Sequence, residues 1–90
     1  MNDVVSEMKQ RLAVLHPEHI EIIDESALHA GHAGARSGGG HYQLTLISPA
    51  FAGLSSVARH RAIYQALGDL MAGRIHALSI TALAPDELGV

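Results

Sequence analysis

The chain predicts an α+β (α/β) fold in the order helix, strand, strand, helix, strand, and three observations carry that expectation. Two segments repeat apolar residues at intervals of three and four, as one face of a helix requires. Three shorter segments place apolar residues with the period of two expected of a half-buried strand. Between the first two of those strands, residues Ala27 to Gly40 contain five glycines and keep neither period.

The first helix is carried by Val4, Met8, Leu12 and Leu15, spaced four, four and three, with Asn2 or Asp3 available to cap its free amides. Pro17 ends it, because the residue before a proline avoids the helical region. In His19-Ile20-Glu21-Ile22-Ile23, Ile20 and Ile22 share one face of a strand, and His19 and Glu21 the other. Ala27 to Gly40 reads as a mobile loop, since each glycine loses backbone freedom that no side chain there compensates. Tyr42, Leu44 and Leu46 alternate with Gln43 and Thr45, giving a second strand that the loop returns antiparallel to the first; Ser48-Pro49 stops it. Ser55 or Ser56 caps a second helix with Ile63, Ala66, Leu67, Leu70 and Met71 on its apolar face and Gly73 as its stop. Ile75 to Leu83 is the third strand, with His76, Leu78 and Ile80 on the apolar face. A strand that reaches the next through one helix is most simply parallel to it, with a right-handed crossover. Both helices then cover one face of a three-stranded mixed sheet.

Length and composition bound what such a fold does. Ninety residues predict a single domain spanning 1–90, burying roughly 60 to 65% of the surface its unfolded chain exposes, which leaves little room for a deep internal active site. Six Lys and Arg against nine Asp and Glu give a net charge of −3, so no overall positive field exists to hold phosphate backbones. With no cysteine the chain has neither disulfides nor thiolate ligands, and the absence of a signal peptide pattern or a spanning apolar run points to the cytosol. Seven histidines are the chemically distinctive side chains, because imidazole titrates near neutral pH and binds borderline metals.

Read as strings, Asp24-Glu25-Ser26-Ala27-Leu28-His29, His41-Tyr42, Ser48-Pro49-Ala50-Phe51-Ala52-Gly53, Arg59-His60-Arg61-Ala62-Ile63-Tyr64 and Ile75-His76-Ala77-Leu78-Ser79-Ile80 resemble the BolA family in order and spacing, from about Ile20 to Glu87. The resemblance implies the same element order, in a fold similar to class II KH domains. It also implies a non-enzymatic partner of monothiol glutaredoxins that shares a [2Fe-2S] cluster, with the glutaredoxin cysteine and glutathione on one side and BolA residues on the other. Carried onto this chain, the strand histidine is His76 and the loop ligand falls on His29. His32, in a loop longer than in many members, is a substitute ligand. Iron homeostasis, stress response and transcription regulation are the settings the family suggests.

The chemistry agrees with that assignment. Two imidazoles in place of two thiolates on one iron remove negative charge and raise the reduction potential, as in Rieske centres. Two histidines alone hold a cluster poorly, so the remaining ligands must come from a partner.

Each histidine also has an ordinary reading. His76, aligned with Leu78 and Ile80, would be a partly buried histidine satisfied by a carbonyl were it not for the resemblance. Loop histidines are usually solvated. His60, on one side of its helix with Tyr64, Leu67 and Met71, packs; His41, on the opposite strand face from Tyr42, is structural, though near enough to the loop to substitute as a ligand. His16 and His19 bracket a turn. Arg59 and Arg61 either anchor the helix start or meet an acidic partner surface.

Two other functions fit the sequence less well. Nucleic-acid binding is the alternative, since BolA-like proteins include DNA-binding regulators. A KH module, however, grips the backbone through a Gly-x-x-Gly turn between helices, whereas Gly31-His32-Ala33-Gly34 lies between strands, and Lys9 is the only lysine. A hydrolase or zinc enzyme is disfavoured: no carboxylate completes a zinc triad with His29 and His32, and there is neither a nucleophile elbow nor a phosphate loop.

Overall fold

The structure is a computed structural model that describes residues 3–26 and 40–88. Helix α1 (Val4–Leu12) starts at Asp3, whose carboxylate accepts the Ser6 backbone N–H at 2.8 Å. That bond satisfies one of the helix's free amides and holds the Asp3 carboxyl below its ordinary range. Met8 and Leu12 are fully buried, as the apolar spacing predicts. Leu15 is not part of the α-helix, because Ala13–Leu15 tightens into a 3-10 turn and His16 adopts a left-handed φ of 53° just before Pro17.

Strand β1 (His19–Asp24) pairs antiparallel with β2 (Gly40–Ile47), placing Ile20 opposite Leu46 and Ile22 opposite Leu44. Strand β3 (Ile75–Leu83) pairs parallel with β2, so β2 is the central strand. Helix α2 (Ser56–Leu67) connects β2 to β3 and starts at Ser55, whose hydroxyl accepts the Ala58 N–H at 3.1 Å. The predicted architecture, two helices on a three-stranded mixed sheet, is the observed one.

One face of the sheet carries the core. Tyr42, Leu44 and Leu46 of β2 are buried against Met8 and Leu12 of α1 and Ile63 and Leu67 of α2, with Ile20, Ile22, Leu78 and Ile80 packed around them. The other face, with His19, Glu21, Gln43, Ser79 and Thr81, is exposed.

Several boundaries differ from the expected ones. Gly40 opens β2 rather than belonging to the loop: its N–H donates to the Arg74 carbonyl at 3.1 Å, and a Cβ there would stand 2.5 Å from the Tyr42 hydroxyl oxygen. The rest of the predicted mobile loop, residues 27–39 with His29 and His32, lies outside the described residues. Helix α2 stops at Leu67, where Gly68 takes a φ of 56°. A 3-10 turn, Gly68–Ala72, then delivers Leu70 to the core.

Two polar residues lock the connections. Ser48, fully buried, donates its hydroxyl to the Leu15 carbonyl and accepts the Ala50 N–H at 3.0 Å, which sets the turn that drops Phe51 into the core. Arg11 of α1 donates to the Leu67 carbonyl at 2.8 Å and to Asp69 at 2.6 Å, capping the end of α2. Among the described residues no helix is long and apolar enough to cross a membrane.

Candidate functional site

The site of interest lies where β2 and β3 begin. Gly40 pairs with Ile75, but the next residue on β2, His41, pairs with Ala77. One step along β2 therefore answers two along β3, and the additional residue is His76. Such a bulge re-aims side chains locally. Ile75 goes into the core at 3% exposure, while His76 is exposed. The expected facing of His76 with Leu78 and Ile80 is thus corrected: Leu78 and Ile80 do pack inward, but the bulge gives the inward position at this end of the strand to Ile75 and turns His76 to solvent.

His41 stands next to it. The residue is half-buried and lies on the sheet face opposite Tyr42, away from the helices. Its imidazole centroid is 5.2 Å from that of His76, with the ring planes at 49°. The His41 backbone is held on both sides, its N–H donating to Ser26 Oγ at 3.1 Å and its carbonyl accepting the Glu25 N–H at 2.8 Å. Ser26 is itself tied to Asp24, and Gln43 donates to Glu25 at 2.9 Å. These bonds bring the two ends of the β1–β2 connection, Ser26 and Gly40, to the end of the sheet that bears His76. His29 and His32 belong to that connection and fall outside the described residues.

Among the described residues no group of three or more His, Cys, Asp or Glu could hold a metal ion. His41 and His76 are thus a pair of imidazoles at this end of the sheet, with no third such donor beside them among the described residues.

The two candidate arginines separate. Arg59 is 8% exposed and its guanidinium is committed within the protein: Nε donates to the Leu54 carbonyl at 2.9 Å, Nη1 to the Ala82 carbonyl at 3.0 Å, and the pair of terminal nitrogens to both Glu87 oxygens at 2.6 Å each. It anchors the helix start to the C-terminal turn. Arg61 points outward and, with Val57, His60, Tyr64 and Gln65, lines an open cleft of about 510 Å³ on the outer side of α2. His60 is half-buried beside Tyr64, which is 42% exposed, while the buried stripe of α2 is Arg59, Ile63 and Leu67.

Two helices over one face of a three-stranded β1-β2-β3 sheet match the fold of solved BolA structures. The family model described as BolA-like protein matches residues 12–87, and the chain belongs to the BolA family. It is similar to the solved BolA1 of Arabidopsis thaliana, with a TM-score of 0.83, 34% identity and 97% of each chain covered. In sequence it is 42% identical to a Sinorhizobium protein over 88% of this chain and 87% of that one. It is likewise 42% identical to the DNA-binding transcriptional regulator BolA of Vibrio cholerae over 79% of this chain, which spans 64% of that protein's length.

Proposed function

We propose that this chain is a non-enzymatic, cytosolic partner of a monothiol glutaredoxin and shares with it a glutathione-dependent [2Fe-2S] cluster, in iron-sulfur cluster trafficking or iron homeostasis. The observation that carries the reading is His76, an exposed imidazole placed on a bulge at the sheet end where the histidine-containing connection begins and ends. Membership of the BolA family supports it. In this reading His76 is one ligand, His29 the other and His32 its substitute.

Co-purification with a monothiol glutaredoxin and glutathione, followed by an absorption spectrum, tests it. His76→Ala leaves the fold intact, because the side chain is outside the core, and abolishes or alters the cluster spectrum of the mixed complex. His29→Ala has the smaller effect, and the His29→Ala, His32→Ala double variant matches the loss at His76. His29→Cys adds a thiolate, stabilising the cluster and lowering its potential. If His76→Ala preserves both the spectrum and the stability of the complex, the shared-cluster reading is wrong.

A second reading, nucleic-acid binding, is favoured by the name of the Vibrio cholerae relative. The exposed Arg61 beside the α2 cleft is the residue it would use.

A further inference from the structure

We infer that the outer edge of β3 pairs with the same edge of a second copy of this chain, antiparallel and with the two-fold axis at Ser79. β3 is an outer strand, because the sheet order is β1-β2-β3. The Leu83 carbonyl accepts the Ser48 N–H of the chain leaving β2, so by alternation Ser79 and Thr81 also turn their backbone groups toward β2. Leu78, Ile80 and Ala82 turn theirs to the open side. Among the described residues nothing on that side pairs with the N–H and C=O groups of Leu78 and Ile80. Such a row of unmet backbone groups is a template for another strand.

The two outer strands are not protected alike. β1 carries Glu21 and Asp24 and is flanked by Glu18 and Glu25, so self-pairing there would gather carboxylates. β3, in contrast, has neither a charged residue nor a proline from Ala77 to Leu83, and those are the usual guards of an edge. Leu78 and Ile80 are only half-buried at the margin of the core, which leaves apolar surface for the second copy to cover.

Arg59 and the bulge set the register. The outward Ala82 carbonyl is already occupied by Arg59 Nη1 at 3.0 Å, so the available stretch ends before it. At the other end the bulge at His76 interrupts the regular spacing. Between these limits the outward residues are Leu78 and Ile80, and one antiparallel register satisfies both: Leu78 pairs with the partner's Ile80, and Ile80 with the partner's Leu78. Ser79 then faces the partner's Ser79, and Ala77 faces the partner's Thr81. Every pair is neutral, aliphatic on the helix side and small on the exposed side. The edge is its own complement, as a closed two-fold interface requires, and that selects a second copy as the occupant.

Sedimentation of the isolated chain over a concentration series, with cysteine cross-linking, tests the pairing. The wild-type chain passes from monomer to dimer as concentration rises, and the Leu78 and Ile80 amides exchange more slowly in the dimer. Ser79 and Thr81 are exposed, so cysteine at either position leaves the core untouched, and the chain has no cysteine of its own. Ser79→Cys puts the thiols opposite one another within disulfide reach and cross-links under diamide at least about tenfold faster than Thr81→Cys, whose thiols the same register holds roughly 13 Å apart. Ser79→Glu, folded by amide dispersion, stays monomeric because it sets like charges face to face. A chain that remains monomeric up to about 1 mM overturns the proposal. So does cross-linking of Ser79→Cys no faster than that of Thr81→Cys, or a dimer undiminished in Ser79→Glu. No glutaredoxin, glutathione or cluster is present, so these outcomes are independent of the shared-cluster test.

Discussion

Arg59 joins three stretches of chain, Leu54 before α2, Ala82 at the end of β3 and Glu87 in the last turn, and it lies 5.9 Å from the centre of the Phe51 ring. The Arg59 bonds, together with the Ala84 N–H, lower the Glu87 carboxyl from 4.5 to about 2. A carboxyl lowered in the folded state contributes stability that is fully present above its unfolded value and lost as pH falls toward its folded one. The chain therefore loses stability between about pH 4.5 and about pH 2. Glu87→Gln lowers the melting temperature at neutral pH and flattens that acid slope, which thermal melts across the pH range measure directly. None of this was legible in Arg59-His60-Arg61 as a string. The sequence offered anchoring and partner contact as equal readings, and the choice between them depends on a carboxylate 28 residues away.

Alternation located the strands, since Tyr42, Leu44 and Leu46 had to share a face whatever lay around them. It could not locate the bulge, because inserting one residue into β3 leaves the pattern of Leu78, Ile80 and Ala82 unchanged and alters only what precedes it. Alternation therefore puts His76 at the start of β3, where it lies, but on the wrong face. The helix ends differ from the expected ones on similar grounds. Leu15 and Leu70 keep the apolar spacing of their helices but reach the core from 3-10 turns, whose tighter winding the spacing alone does not distinguish. Gly40 reads as part of the glycine-rich stretch because nothing local separates a glycine required by packing from one that is merely permitted. Its role gives a test of the β2 start: Gly40→Ala pushes a methyl group into the Tyr42 ring and destabilises the chain by about 1–3 kcal/mol. Combined with Tyr42→Leu, which clears the space, it costs less than the sum of the two single changes in denaturant titrations.

For the molecule as a whole, charge decides between partners more than shape does. Of the six basic residues, Arg11 and Arg59 are already engaged in ion pairs within the protein, and the net charge is −3. Binding to DNA or RNA is therefore weak and indifferent to sequence, which fluorescence anisotropy over a salt series checks. Sequence-dependent binding in the submicromolar range at physiological salt overturns this, specific sites being held at roughly 10 nM or tighter. The sheet's connectivity has a kinetic consequence as well. The antiparallel pair β1–β2 can zip outward from Asp24 and Tyr42, each new bond closing little additional chain. The parallel pair β2–β3 has no such starting point, because every partner from Gly40 with Ile75 to Ile47 with Leu83 is separated by nearly the same length of chain. That whole loop must be closed before the first bond forms, and only α2, folded and resting on both strands, shortens it. Parallel pairing is then the slow event in folding, with α2 in its transition state. In stopped-flow measurements, Ile63→Val slows refolding, whereas Met8→Ala, on a helix that docks afterward, chiefly speeds unfolding.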